Sequence, residues 1–328
     1  MIVLDADVLG RRRTGDETYV RELLQALPRD LDLAAVTRRP DLVPEGVTAI
    51  ELQARSQELR MAWTLPRLLR RLRPQLAHFV HALPPRLPCH AVLTVQDLSF
   101  ERDPTVMVAR ERLIFKAVVP WSARRAAHVL AISQRTKDDL IELYGIAEEK
   151  ITVTPLAPDP DFRPGAGGHD GYLLFVSAVE PRKDPLAALA ASRAVGLPLV
   201  VVGPHRDAAL VRALRGGGGD VRGYVPKDEL VRLYQRAACL VLPTRYEGFG
   251  LPAAEAMACG TPVVARPDAA VREVVGEAGI LTEDVTEGVR QALAERERLA
   301  TVGLERARLF TWEETGRRTA DVYRRLLA

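Results

Sequence analysis

Chemistry in this 328-residue sequence gathers in two short runs. The first is Glu180-Pro181-Arg182-Lys183-Asp184-Pro185. Arginine grips two oxygens at once and lysine adds a point charge, so the pair suits a diphosphate and offsets the charge that develops as it departs. The second run is Glu247-Gly248-Phe249-Gly250-Leu251-Pro252-Ala253-Ala254-Glu255, continuing to Gly260. Its glycines let backbone N–H groups approach a ligand closely. Glu247 and Glu255 stand eight residues apart. On one helix that spacing is ~12 Å of rise with about 80° of rotation. It is too far for the ~5 Å carboxylate pair of a retaining glycosidase. The two carboxylates are better placed to hold different parts of an extended ligand.

Both runs need strands that end beside them. Tyr172 to Val176 and Ala237 to Leu242 are short apolar runs of the kind that buried parallel strands require. Pro252 suits a helix's first turn and Gly260 its C′ position, with a further strand from Thr261 to Ala265. An anion outside the first strand's carboxyl end would meet free N–H donors at the helix N-terminus. The first half repeats the pattern. Met1 to Asp7 reads as a strand, Gly10 to Tyr19 as a turn and Tyr19 to Leu27 as a helix. That turn lacks G-x-G-x-x-G, which gives a nicotinamide site little support. Strands follow at Asp32 to Val36, Val47 to Leu52, Leu76 to Val80, Ala91 to Val95, Ala127 to Ile132 and Ile151 to Thr154. Glu111 to Arg125 is helical with a kink expected at Pro120, and Ser133 is placed to cap a helix over Thr136 to Tyr144. Prolines and glycines crowd residues 155–171, which read as an interdomain linker. The order is that of an α/β protein of two domains joined by that linker.

Composition sets the frame. A 47% hydrophobic content and a net charge of +3 fit a soluble globular chain and do not call for nucleic acid. No apolar run reaches the ~18 residues of a membrane span, and the start is strand-like without a secretory signal, so a cytoplasmic location is expected. Cys89, Cys239 and Cys259 are scattered and odd in number, as in a reduced compartment without disulfides or zinc. His78, His81 and His90 invite a metal reading, but Pro84, Pro85 and Pro88 break any fixed ligand spacing; satisfied or solvent-facing histidines are expected. Trp63 to Arg73 mixes apolar and basic residues at helical spacing despite Pro66. Its usual meaning is a solvated face, and peripheral contact with a membrane surface is the second reading.

Taken whole, Glu247 to Val264 resembles the signature of retaining glycosyltransferases of the family-4 type, E-x7-E. The resemblance extends to Glu180-Pro181-Arg182-Lys183, where Asp184 replaces a usual Asn, and to Val95-Gln96-Asp97-Leu98-Ser99-Phe100, where Gln96 stands in place of the family's His. Thr14-Gly15 and Tyr19 match the family's first loop, with Glu17 at a frequent glycine. It implies the GT-B fold: two Rossmann-like doubly wound domains facing a central cleft, with a C-terminal helix crossing back to the N-domain. The domains would be 1–158 with 312–328, and 170–311.

The resemblance further implies a transferase moving a hexose, mannose favoured, from a nucleoside-diphosphate sugar to a hydroxyl acceptor. The donor would be GDP-mannose, with UDP- or dTDP-hexoses close behind, and the acceptor a sugar, a lipid-linked or a small molecule. Glu255 would hold the ribose hydroxyls and Glu247 the sugar. Gly248, Phe249, Gly250 and Leu251, with Arg182 and Lys183, would hold the diphosphate. Gly15 would face the donor, Val225 the base, and Gln96 with Asp97 the transferred sugar. Glutamine donates and accepts hydrogen bonds but takes up no proton, so Gln96 reads as an orienting amide. No metal or other cofactor is expected, since arginine, lysine and helix ends supply the positive field. A sugar-nucleotide epimerase or hydrolase on the same fold, and a catalytically weak sugar-nucleotide-binding protein, are the alternatives.

Overall fold

A computed structural model describes residues 1–11, 14–104 and 107–328. Arg12 and Arg13, in the turn expected between Gly10 and Tyr19, lie outside the described residues. Two parallel sheets are present. The first has seven strands: β1 (Ile2–Asp5), β2 (Leu33–Thr37), β3 (Thr48–Glu51), β4 (Leu76–Val80), β5 (His90–Val95), β6 (His128–Ala131) and β7 (Ile151–Val153), in the order β3-β2-β1-β4-β5-β6-β7. The second has six: β8 (Leu173–Val176), β9 (Leu199–Val202), β10 (Asp220–Gly223), β11 (Cys239–Leu242), β12 (Val263–Ala265) and β13 (Ile280–Leu281), in the order β10-β9-β8-β11-β12-β13. In each sheet the winding reverses beside the first strand, between β1 and β4 and between β8 and β11. Such reversals leave a crevice outside the carboxyl ends of the strands.

The strands read from the sequence form, with their ends moved by no more than two residues. β2, β6, β9 and β11 are buried along their whole length, as strands covered by helices on both faces must be. The helices depart more. The first spans Thr14–Ala26, so Gly15 lies in a helical turn and not in an open loop. Asp16 and Glu17 in that turn favour the helix N-terminus, and Glu17 Oε1 accepts from the Gly10 N–H at 2.9 Å. The stretch around Trp63 divides into a π turn, Arg60–Thr64, and a helix, Leu65–Leu72, with Pro66 in its first turn. The helix Ala109–Arg125 continues through Pro120, so the expected kink does not interrupt it. Among the described residues no helix is long and apolar enough to cross a membrane.

The chain divides into two compact units. The first comprises Met1–Glu101, Val108–Leu156 and Trp312–Ala328; the second takes Ala157–Thr311 with the short stretch Arg102–Met107. The last helix, Trp312–Leu327, therefore completes the unit that holds the first sheet. It packs on the helix Thr14–Ala26 so closely that a Cβ on Gly316 would stand 2.4 Å from the Ala26 carbonyl oxygen. Beneath it runs a buried polar chain. The Tyr323 hydroxyl is 2.5 Å from His78 Nδ1, His78 Nε2 is 2.7 Å from Thr94 Oγ1, and Tyr19 bonds the same hydroxyl at 2.7 Å. Burial pulls the His78 imidazole down to about 3, so it is neutral there, one ring nitrogen donating and the other accepting. In the second unit Phe175, Val201, Val241 and Val264 meet Ala188 and Val289 in an apolar core.

Candidate active site

At the carboxyl edge of the second sheet, β8 leads into a single 3-10 turn, Pro181–Lys183, and β11 into the loop that ends at the helix Leu251–Ala258. Several bonds join these two segments. Lys183 Nζ lies 2.5 Å from Glu247 Oε1, with both side chains about nine-tenths buried. Burial pulls the Lys183 ammonium down from its ordinary value, while Glu247 opposes that shift. Arg182 donates to the Tyr246 carbonyl at 2.5 Å and to Glu180 Oε1 at 2.8 Å, and its own carbonyl accepts from the Arg245 N–H at 3.1 Å. Arg182 thus builds the loop as well as lending it charge. Glu180 Oε2 also receives Arg206 at 3.3 Å.

Glu247 precedes the helix; only Glu255 lies on it, so the estimate that placed both on one helix does not apply. Gly250 is the helix N-cap at φ 100°, a left-handed backbone that glycine takes without a Cβ penalty. Pro252 stands in the first turn and Gly260 follows the last with φ 72°, as their residue types suggested. The Phe249 side chain is buried, edge-on to Phe310 at 5.6 Å. Leu251 and Gly248 flank it, half-buried and buried.

Glu255 accepts a 2.8 Å bond from the Tyr234 hydroxyl on the helix Lys227–Arg236. Part of the side chain reaches the surface, yet burial pushes its carboxyl up to about 8, with the tyrosine bond pulling the other way. Tyr234 was not foreseen. Its helical spacing marks it as core, and the one available signal is that a buried phenol needs a partner. Val225 is buried beyond β10 and the neighbouring Tyr224 is 64% exposed.

The first unit brings a different set together. Gln96 follows β5 and is buried; its Nε2 has no hydrogen-bond partner among the described residues. Gln96 Oε1 is 3.7 Å from where a Cβ on Gly15 would be, so these two predicted positions are neighbours. The Gln96 carbonyl accepts from Thr136 Oγ1 at 3.2 Å, and Ser133 caps the helix Gln134–Tyr144 by accepting from the Thr136 N–H at 3.0 Å. Asp97 is turned to local work. Its Oδ1 accepts from Ser99 N at 3.0 Å and Ser99 Oγ at 2.8 Å. The three histidines part company: His78 is in the core, His81 meets Asp16 at 3.1 Å and His90 is exposed. Among the described residues no three metal-ligating side chains converge. An open hollow of about 510 Å³ lined by Pro74, Gln75, Pro88 and His90 lies at the amino ends of β4 and β5, the opposite edge from these residues.

Comparison with known proteins agrees with the fold. Residues 13–162 match Glycosyltransferase Family 4, and residues 169–296 match Glycosyl transferases group 1. The O-antigen chain mannosyltransferase B of Escherichia coli is 30% identical over 276 residues, covering 74% of this chain and 72% of that protein. Among solved structures, the sucrose-phosphate synthase of Thermosynechococcus elongatus superposes with a TM-score of 0.81 at 20% identity, over 99% of this chain and 98% of that one. Anabaena HepE, solved with UDP-glucose, gives 0.74 at 15% identity over 98% of each chain. With its paired parallel sheets matching the GT-B fold, this chain belongs to the group 1, family 4 glycosyltransferases and is a transferase of that family.

Proposed function

We propose that the protein is a retaining glycosyltransferase that moves a hexose, mannose favoured, from a nucleoside-diphosphate sugar to a hydroxyl acceptor. One observation carries this reading: the buried Lys183–Glu247 pair on the second sheet's carboxyl edge, beside Arg182 and the N-terminus of the helix Leu251–Ala258. A salt bridge kept out of water is costly unless another partner makes use of it. A diphosphate would take Lys183, the N–H groups of Phe249, Gly250 and Leu251, and the field of Arg182. Glu247, relieved of part of its lysine contact, would accept from sugar hydroxyls and favour positive charge at the anomeric carbon. Glu255 would receive the ribose hydroxyls, with Tyr234 fixing its orientation. Val225 would line the base.

Among the described residues nothing receives the buried Gln96 N–H, and a sugar hydroxyl would supply the acceptor. Asp97 would set the geometry of that turn, since its carboxylate is spent on Ser99. The sugar bond then parts toward the diphosphate, the acceptor attacks from the vacated face, and its proton passes to the leaving phosphate oxygen. No metal is assigned to these steps; the cations and helix end carry the field. The Escherichia coli relative supports mannose, and the UDP-glucose in the Anabaena protein supports a nucleotide-sugar donor in general. Peripheral contact with a membrane belongs to the same proposal, through exposed Trp63 and the basic face of Arg67, Arg70 and Arg71.

The test is a thermal-shift screen of GDP, UDP and dTDP followed by transfer assays with the matching sugars. A nucleotide at 100 times its Kd should add about 2.7 kcal/mol to stability. No stabilisation by any of the three would end the reading. Rapid epimer or free-sugar formation without acceptor would turn it into the epimerase or hydrolase.

A further inference from the structure

Asp184 is the residue where this chain exchanges an amide for a charge, beside the lysine that is to meet a diphosphate. Its backbone is left-handed, φ 47° and ψ 55°, closing the Pro181–Lys183 turn and capping the next helix, Pro185–Val195, with Oδ1 accepting from Ala187 N at 3.4 Å. Asparagine and aspartate both tolerate that conformation and both cap helices. Backbone needs therefore do not explain the carboxylate, and a negative charge here opposes an incoming anion.

Arg266, just past β12, answers it. Its Nη1 lies 2.8 Å from Asp184 Oδ2 and donates to the Pro243 carbonyl at 2.7 Å, while Nε is 3.5 Å from Glu283 Oε2. Arg245 approaches the same Asp184 oxygen at 3.7 Å from a largely exposed position. One nitrogen of Arg266 thus bridges the turn that carries Lys183 and the loop that carries Glu247. Asp184 and Arg266 are each about four-fifths covered, so solvent screens them only in part.

We propose that Arg266 is a positioning residue for the diphosphate end of the donor: it cancels the charge of Asp184 and ties the Lys183 turn to the Glu247 loop. The inference rests on the donor site described above. It makes Asp184 and Arg266 a matched set, with the arginine required because the carboxylate is there.

The test measures the affinity and stoichiometry of GDP and UDP by titration calorimetry, on the full chain, for Arg266→Gln, Arg266→Lys, Asp184→Asn and the Gln/Asn double variant. Arg266→Gln should weaken binding about tenfold, the scale of one charge-assisted contact, with sites per chain unchanged. Asp184→Asn alone should bind within about threefold of wild type, and added to Arg266→Gln it should restore most of the loss. Arg266→Lys should fall between, and the Arg266→Gln deficit should shrink in 1 M salt, where the screening length is about 3 Å. Wild-type affinity in Arg266→Gln, fewer sites at unchanged affinity, or no repair by Asp184→Asn would each overturn the proposal. Lys183→Ala separates the two levels. If it abolishes nucleotide binding while Arg266→Gln leaves it intact, only this inference fails; if it binds normally, the donor site itself is misassigned.

Discussion

The two units bury polar groups in opposite ways. Under the last helix, His78, Thr94, Tyr19 and Tyr323 form a closed series of neutral hydrogen bonds, each group answered by another and none charged. At the edge of the second sheet the ion-paired side chains of Lys183, Glu247, Glu180 and Arg182 lie in a nearly dry setting and are bonded to neighbouring loops. The first arrangement costs little and holds helix to sheet. The second is expensive to maintain, and an arrangement of that kind is retained where a charged ligand offsets the cost. Gln96 stands between these extremes: neutral, buried and with an N–H unanswered among the described residues.

That contrast can be broken at four points. Lys183→Ala or Glu247→Ala should lower transfer per folded molecule by roughly 10²–10³-fold, the scale of losing one preorganised electrostatic contact, and the charge left without its partner should lower the melting temperature as well. Steady-state rates beside a melting curve check it, and near wild-type turnover would refute the roles assigned. Tyr323→Phe should touch stability alone. Leaving His78 Nδ1 without its buried partner should cost about 1–3 kcal/mol in denaturant unfolding while the rate per folded molecule stays put. Gln96→Ala should reduce turnover about tenfold, the worth of one neutral hydrogen bond, with nucleotide affinity unchanged.

The fourth point is the pH signature of Glu255. Its carboxyl is pushed up to about 8 in the folded state, so the folded protein holds a proton that the unfolded chain has released above the ordinary glutamate range. Stability should therefore decline as pH rises from about 4.5 towards 8, and Glu255→Gln should flatten that decline in urea titrations at several pH values. A slope unchanged by the substitution would mean the carboxyl is ionised in the fold.

What could be read from residues alone follows the same division. Strands of both sheets were legible because buried parallel strands require unbroken apolar runs, as in Leu173 to Val176 and Cys239 to Leu242. Loops that carry chemistry were legible where glycine, proline and charge fall together, as in Glu180 to Pro185 and Glu247 to Gly260. Partners supplied by distant elements were not. Nothing in the residue pattern singles out Tyr234, Thr136 or Arg266; each acquires meaning only when the fold brings it to Glu255, Gln96 or Asp184. The helix start at Thr14 was missed because the turn-like Gly15 outweighed the acidic pair that follows it.

The packing of Gly316 and Tyr323 onto the first unit has a consequence for biosynthesis. Everything from Ala157 to Thr311 is an insertion between two parts of one structure. At roughly 5–20 residues per second, a ribosome takes on the order of ten seconds to traverse that insertion. For that interval the earliest-made strands wait with His78 and the underside of the helix Thr14–Ala26 uncovered, so the portion synthesised first is the portion that matures last.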